Sequence, residues 1–254
     1  MTGVDNQELV LPEQPDVWQQ TLGWQPQPQQ QESYRRLYAE ILRGNQQLNL
    51  TRITDPNEFW EKHLWDSLRG IQSWLVTDPE SSLQATPFNV LDIGTGAGFP
   101  GVPVAIACPN WQLTLLDSTR KKIAFLDTLT TTLGLTQVQT LVGRAEEIGQ
   151  MAQHRAAYDL VLIRAVASAS ACAEYALPLL KLNGIAVLYR GQWSEMETQA
   201  LVTVVEQLGG KIDHIEPFVT PFSQSVRHCV YLKKLKPTSA TFPRPTGVPT
   251  QKPL

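Results

Sequence analysis

Between Val90 and Gly101 the chain reads VLDIGTGAGFPG: an apolar run closes on Asp92, and glycine then recurs at 94, 96 and 98. Glycine accepts positive φ and lets a ligand come up against the main chain. A helix expected to begin near Gly101 turns its free N–H groups back towards this loop. The spacing is G-x-G-x-G, not the G-x-G-x-x-G of a dinucleotide loop, so the next strand has to decide. In LTLLDS the strand ends in Asp117, roughly 20 residues past Gly94, the place of a carboxylate on ribose hydroxyls. An acid there favours an unphosphorylated, adenosine-like ligand. Asp92 stands where a pyrophosphate would be repelled. A carboxylate there suits an ammonium or a sulfonium, and S-adenosylmethionine carries both; the competing role for Asp92 is a helix cap or turn residue.

The other chemistries have little to work with. No Ser/His/Asp set and no catalytic cysteine motif stands out. Cys108, Cys172 and Cys229 lack the paired spacing of a disulfide framework or a zinc site. A nicotinamide dehydrogenase would need the pyrophosphate loop that is missing. No apolar run approaches the ~20 residues of a membrane span, and the N-terminus has neither the basic nor the apolar region of a secretory signal. A cytoplasmic protein without a membrane partner is expected, and a monomer, since no large apolar interface stripe is evident.

The elements that must position this loop follow from pattern. The chain has 254 residues and a net charge of −3, enough for one large domain. Residues 1–30 are Pro- and Gln-rich and read as a flexible leader around a short helix near Trp18. Residues 31–80 read as helical: Tyr34, Leu37, Tyr38, Ile41 and Leu42 recur at three and four, and Asp55-Pro56 opens a second helix through Phe59, Leu64, Leu68, Ile71 and Leu75. TDPESSLQATP is a linker. Over 86–235, short apolar runs (FNVLDIG, WQLTLLD, VQTLVG, YDLVLIRA, GIAVLYRG) alternate with helical spacing. That predicts a doubly wound, mainly parallel α/β sheet covered on both faces. KIDHIEPF and RHCVYLKKLK are joined by a loop alone, so the last strand is expected to be antiparallel. Residues 236–254 are a Pro-rich basic tail, and no acidic residue follows Glu216. Such a tail either meets phosphate or is simply solvated.

VLDIGTGAGFPGVPVAIACPNWQLTLLDSTRKKIAFL, followed by GRAEEI and IRAVAS, closely resembles the ribosomal RNA small subunit methyltransferase G family. The resemblance continues through NLTRITDPNEFWEKHLWDSL upstream and RGQ, RHCVYLKK and FPRPTGVPTQKPL downstream, about residues 34–254. It implies a class I, Rossmann-like methyltransferase fold behind N-terminal helices, with S-adenosylmethionine as donor. The implied acceptor is N7 of a guanine in the decoding-region hairpin of 16S rRNA, presented as RNA or as the small ribosomal subunit. Carried over position by position, Gly94, Phe99, Asp117, Ala145, Glu146 and Arg164 bind the donor, and Arg164 is the best candidate for an active-site group. Arg190 stands where the family commonly has lysine, a planar fork in place of a point charge.

Guanine N7 has an in-plane lone pair and no proton, so no general base and no metal is required, and catalysis is mostly positioning. His63, Asp66 and Ser67 are expected to share one helix face and to look into the donor pocket as substrate contacts; the alternative is helix–sheet packing. Arg190, Arg227 and His228 are further candidates for RNA, the last two otherwise being ordinary edge-strand charges. Arg120 to Lys122 read as either an RNA contact or a solvated first turn, and Trp60, Trp65 and Trp74 as core. Competing functions are a methyltransferase with another acceptor and a donor-binding ribosome-assembly module without turnover. RAVAS lacks the Asn/Asp-Pro-Pro-aromatic clamp of amino-group enzymes.

Overall fold

The computed structural model describes residues 10–75 and 88–254; the linker expected at 77–87 lies outside them. Helices α1 (Pro15–Leu22) and α2 (Pro28–Asn45) come first. A bent helical run follows: α3 (Pro56–Phe59), a π-helical stretch (Trp60–Trp65), α4 (Asp66–Arg69) and α5 (Gln72–Leu75). Asp55 starts that run as expected, its carboxylate accepting the Asn57 and Glu58 N–H groups at 2.9 and 3.0 Å.

Seven strands then make one sheet: β1 (Asn89–Ile93), β2 (Gln112–Asp117), β3 (Val138–Val142), β4 (Tyr158–Arg164), β5 (Leu180–Arg190), β6 (Gly210–Val219) and β7 (Val226–Lys234). Their order is β3-β2-β1-β4-β5-β7-β6, with β1 to β5 parallel and β7 antiparallel to both neighbours. The antiparallel last strand is thus inserted between β5 and β6 rather than lying on the edge. That explains its sequence: an inner strand is buried on both faces. Cys229 and Tyr231 join the core under the N-terminal helices, whereas Val230 and Leu232 join the core on the opposite face.

Helices α6 (Gly101–Ala107) and α7 (Arg120–Leu133) cover the first face beside the N-terminal helices; α7 buries Ile123, Leu126, Leu129 and Leu133. The single turn α8 (Ala145–Ile148), α9 (Ala169–Ala176) and α10 (Glu195–Gln207) cover the second. A last turn, α11 (Val248–Gln251), lies in the tail. Among the described residues no helix is long and apolar enough to cross a membrane.

The short helix expected near Trp18 is α1, but residues 10–30 and the C-terminal tail are more closely packed than expected. Inside the stretch read as a flexible leader, Leu11, Trp18 and Leu22 are fully buried. Trp18 packs against Trp60 at 4.5 Å and stacks on Tyr34 at 6.3 Å between ring centroids. Spacing of four places Trp18 and Leu22 on one apolar stripe, a signal hidden by the Pro/Gln composition around it. The C-terminal tail is likewise packed rather than solvated, held through its backbone. Arg155 donates to the carbonyls of Thr238, Ser239 and Phe242 at 2.8–2.9 Å.

Candidate active site

The cleft lies beyond the carboxyl ends of β1 to β4, where open α/β sheets bind ligands. Gly94, Asp117, Ala145, Glu146, Val166, Tyr175 and Thr250 line it. Its floor is the glycine turn. Gly94, Gly96 and Gly98 have φ of 70°, 61° and 99°, a region that side chains with a Cβ rarely adopt. The turn is tied to β2 through Asp117, whose Oδ2 accepts the Gly96 N–H at 3.0 Å and whose Oδ1 accepts that of Thr119 at 2.8 Å. The same carboxylate that is expected to hold ribose hydroxyls therefore also sets the loop that shapes the site.

Asp92 fulfils the capping role read from the sequence and keeps one carboxylate oxygen unpaired. Its Oδ2 accepts the Gly101 N–H at 2.8 Å and so caps α6. A Cβ on Gly101 would sit 2.8 Å from that oxygen, so the approach requires glycine. Its Oδ1 is buried without a partner, as is the Thr95 hydroxyl oxygen, which lies near the carboxyl but outside hydrogen-bonding geometry. Burial pushes the Asp92 carboxyl up to about 6, against the pull of the neighbouring Thr95 hydroxyl, the Gly101 amide and Arg164. An orphaned acidic oxygen at the mouth of a glycine turn fits a ligand that brings a cationic donor group, and S-adenosylmethionine has one. Glu146, expected to bind the donor, is buried, its Oε1 accepting from Tyr175 Oη at 3.3 Å and from the Gly247 N–H at 3.0 Å.

The other side of the cleft comes from the N-terminal helices. Arg164 ends β4 and reaches across to them: Nη1 donates to Asp66 Oδ2 at 2.7 Å and to the Lys62 carbonyl at 3.0 Å. Phe99 is sandwiched among side chains of both regions. The His63 ring stacks on it at 4.2 Å and 6°, Phe59 meets it edge-on at 5.7 Å, and the Arg164 guanidinium lies 5.9 Å from its centroid. His63 Nε2 pairs with Thr51 Oγ1 at 2.8 Å while Nδ1 is buried without a partner. Burial, with Arg164 and Lys62 close by, pushes the imidazole down to about 3, so it is neutral at physiological pH.

Of the three residues expected to share one helix face, His63 and Asp66 both meet the cluster around Arg164 and Phe99, whereas Ser67 packs between helix and sheet, the alternative read from the sequence. It is fully buried, donates its hydroxyl to the His63 carbonyl at 2.5 Å and accepts from Tyr189 Oη through its own carbonyl at 2.7 Å. Ser67 therefore braces helix against sheet. Asp66 is brought to Arg164 rather than left free. Arg190 Nη1 donates to the Ala167 carbonyl at 2.8 Å and steadies the turn after β4. His228 pairs opposite Arg190 in the sheet and bonds the Gly191 carbonyl through Nδ1 at 2.8 Å, and Arg227 lies next to it, half-buried. Arg120 and Lys121 are exposed, and Trp60 and Trp65 are core.

Several residues of the site escaped sequence reasoning. Thr95 had a visible signal, since it lies inside the glycine turn. Glu61, Gly247 and Thr250 lie in stretches that carry the family resemblance, but no local pattern marks what they do. Glu61 is buried and its Oε1 accepts the N–H groups of Phe222 and Ser223 at 2.5 and 2.9 Å, fastening the loop between β6 and β7 to the π-helical stretch. Such a role exists only across 160 or so residues of chain.

Comparison with known proteins identifies the family and the fold. The family described as rRNA small subunit methyltransferase G matches residues 30–229. Proteins named ribosomal RNA small subunit methyltransferase G are similar over most of the chain. That of Nostoc punctiforme is 62% identical, covering 96% of this chain and 99% of its own. That of Trichodesmium erythraeum is 54% identical, covering 98% and 97%. Among solved structures, the 16S rRNA (adenine(1408)-N(1))-methyltransferase from Catenulisporales acidiphilia shares the fold. Its TM-score is 0.51 at 14% identity, over 64% of this chain and 94% of that one.

Proposed function

We propose the reaction from one premise: the chain belongs to the ribosomal RNA small subunit methyltransferase G family and is an S-adenosylmethionine-dependent methyltransferase of small-subunit rRNA. The acceptor we assign is N7 of one guanine in the decoding-region hairpin of 16S rRNA. The observation that supports this reading is the Arg164–Asp66 contact, which ties the carboxyl end of β4 to the N-terminal helices.

Bound in the cleft, S-adenosylmethionine would supply a sulfonium methyl, to which the N7 lone pair would form the new C–N bond as the S–C bond breaks, with the positive charge passing from sulfur to the base. The residues of the chain hold the partners in line for that step, an arrangement able to supply roughly 7–11 kcal/mol. Asp92, Asp117, Ala145 and Glu146 hold the donor, and Phe99 forms the wall on the reacting side. Neutral His63 keeps that wall free of further positive charge. An arginine clamped to O6 and N7, the commonest guanine contact, would block the reacting atom, so recognition uses O6 alone, stacking or the N1/N2 edge. N7 of a paired base lies in the deep groove of A-form RNA, which fits an unpaired or loop guanine. Arg190 and His228, side by side at the open end of the sheet, and Arg227 beside them, are the candidates for phosphates of the same RNA. We place the protein in the cytoplasm, acting as a monomer.

The test uses labelled donor with rRNA or small subunits from cells lacking the enzyme, followed by borohydride and aniline cleavage at 7-methylguanine. One new cleavage in the decoding-region hairpin supports the reading. Label transfer without that cleavage replaces N7 by another acceptor atom. Donor binding without transfer favours an assembly module.

A further inference from the structure

The C-terminal tail is fastened to the donor cleft more tightly than a solvated tail requires. Glu174, on α9, has a fully buried side chain, and its partner is Arg244 of the tail. Arg244 meets it from three nitrogens: its backbone N–H reaches Oε1 at 2.7 Å, Nε reaches both oxygens at 3.0 and 3.1 Å, and Nη2 reaches Oε2 at 2.7 Å. A buried carboxylate robbed of its partner is strongly disfavoured, so the folded domain needs this segment in place. Beyond the buckle, the chain turns at Gly247, whose N–H donates to Glu146 Oε1. Glu146 is the adenosine-side carboxylate. Among the described residues its contacts fall on Oε1, which leaves Oε2 for a ligand. Thr250 then lines the same cleft as Gly94 and Asp117, with its side chain exposed to it and its hydroxyl donating to the Gly247 carbonyl at 2.9 Å.

We propose that the C-terminal segment from Thr238 to Gln251 is a wall of the donor site and sets donor affinity: Arg244 buckles it to Glu174, Gly247 orients Glu146, and Thr250 bounds the adenosine end. Arg244 and Gly247 act by positioning, and Thr250 by contact. The inference rests on the cleft being the donor site.

The experiment uses the full chain and S-adenosylhomocysteine as probe. In Thr250→Cys, the probe should slow maleimide labelling of the new thiol at least tenfold relative to the same variant alone, with the parent protein as control for half-buried Cys108. Thr250→Trp should weaken probe binding at least tenfold at an unchanged melting temperature, because position 250 is solvent-facing. Arg244→Ala should weaken binding as well, and Arg244→Lys should restore part of it. Probe binding of parental strength in Thr250→Trp, or labelling of Thr250→Cys at the same rate with probe bound, overturns the proposal while leaving the donor assignment standing. Failure of the parent protein to bind the probe overturns both.

Discussion

Arg164 and Asp66, 98 residues apart in sequence, meet at 2.7 Å with side chains 15% and 7% exposed. The pair joins the carboxyl end of β4 to the N-terminal helices. Asp66→Ala leaves the guanidinium with the Lys62 carbonyl alone. Removing one partner of a buried pair costs on the order of 3–5 kcal/mol, and the loss should also release Arg164 from its place beside Phe99. We expect turnover to fall by about 100-fold, a 1 Å misplacement being enough for that, with donor affinity falling much less. Single-turnover methylation and calorimetric titration on the same preparation check it; unchanged turnover would remove Asp66 from the site.

Asp92 and His63 make opposite contributions to acid stability. The folded pKa of Asp92 is raised to about 6, so the native state binds the extra proton between about pH 4 and 6. The stability it contributes falls as pH rises through that window, by about 3 kcal/mol in all. Asp92→Asn should abolish this slope in denaturant melts taken between pH 4 and 7. Donor affinity should show the converse trend, rising with pH towards a plateau above 6 as the carboxylate forms and meets the cationic ligand. Titration of donor binding at pH 5 to 7.5 tests this, and a flat profile would place the cation elsewhere.

The folded pKa of His63 is lowered to about 3. The unfolded chain takes up its proton below about 6.5 while the native chain does not, so stability from this group is present above 6.5 and is lost as pH falls. The ring should show no titration between pH 5 and 8 by NMR, its signal identified by its loss in His63→Phe. A midpoint near 6.5 would mean that the stack on Phe99 opens to water.

Two glycines of the loop should fail for different reasons. At Gly96 a Cβ would meet open space, with one atom at 3.8 Å, but φ is 61°. Gly96→Ala should therefore cost about 1–2 kcal/mol from left-handed strain alone and weaken donor binding through the Asp117 contact. At Gly101 a Cβ would lie 2.3 Å from Leu115 and 2.8 Å from Asp92 Oδ2. Gly101→Ala should push Asp92 off the cap and cost more than the Gly96 variant in thermal melts. The reverse order would show that the Asp92 contact is dispensable.

Trp18→Ala should cost about 3–5 kcal/mol, the usual range for emptying a buried aromatic site, which is roughly 10 °C in melting temperature for a chain of this size. A loss under 2 °C would mean that the segment around α1 is detachable after all.

Much of the fold could be read in the chain. The apolar runs of β1, β2 and β4 and the three- and four-residue spacing of α7 are local patterns, because a buried strand or a helix face is specified by its own residues. The glycine turn and Asp117 could be read for the same reason: a strand–turn–helix unit carries its ligand geometry within about 30 residues. The place of Ser67 against the sheet was not legible, since its partner Tyr189 lies 122 residues further along the chain. The insertion of β7 was not legible either, because strand order is a property of pairing between distant segments.

The sequence by itself determined which side chains are present, the class of sheet they make and the cationic adenosine ligand that Asp92, the glycines and Asp117 suit. Only the tertiary structure decided what those side chains do for one another. It turned Asp66 from a free acid into the anchor of Arg164, put Ser67 into the core, and converted a Pro-rich basic tail into a packed segment holding Glu146. The reason is physical. Helix, strand and turn preferences act over a few residues, whereas the fate of a charged or polar side chain depends on what desolvates it and what partner is within 3 Å. Those partners lie 98 residues away for Arg164, 70 for Glu174 and 101 for Glu146.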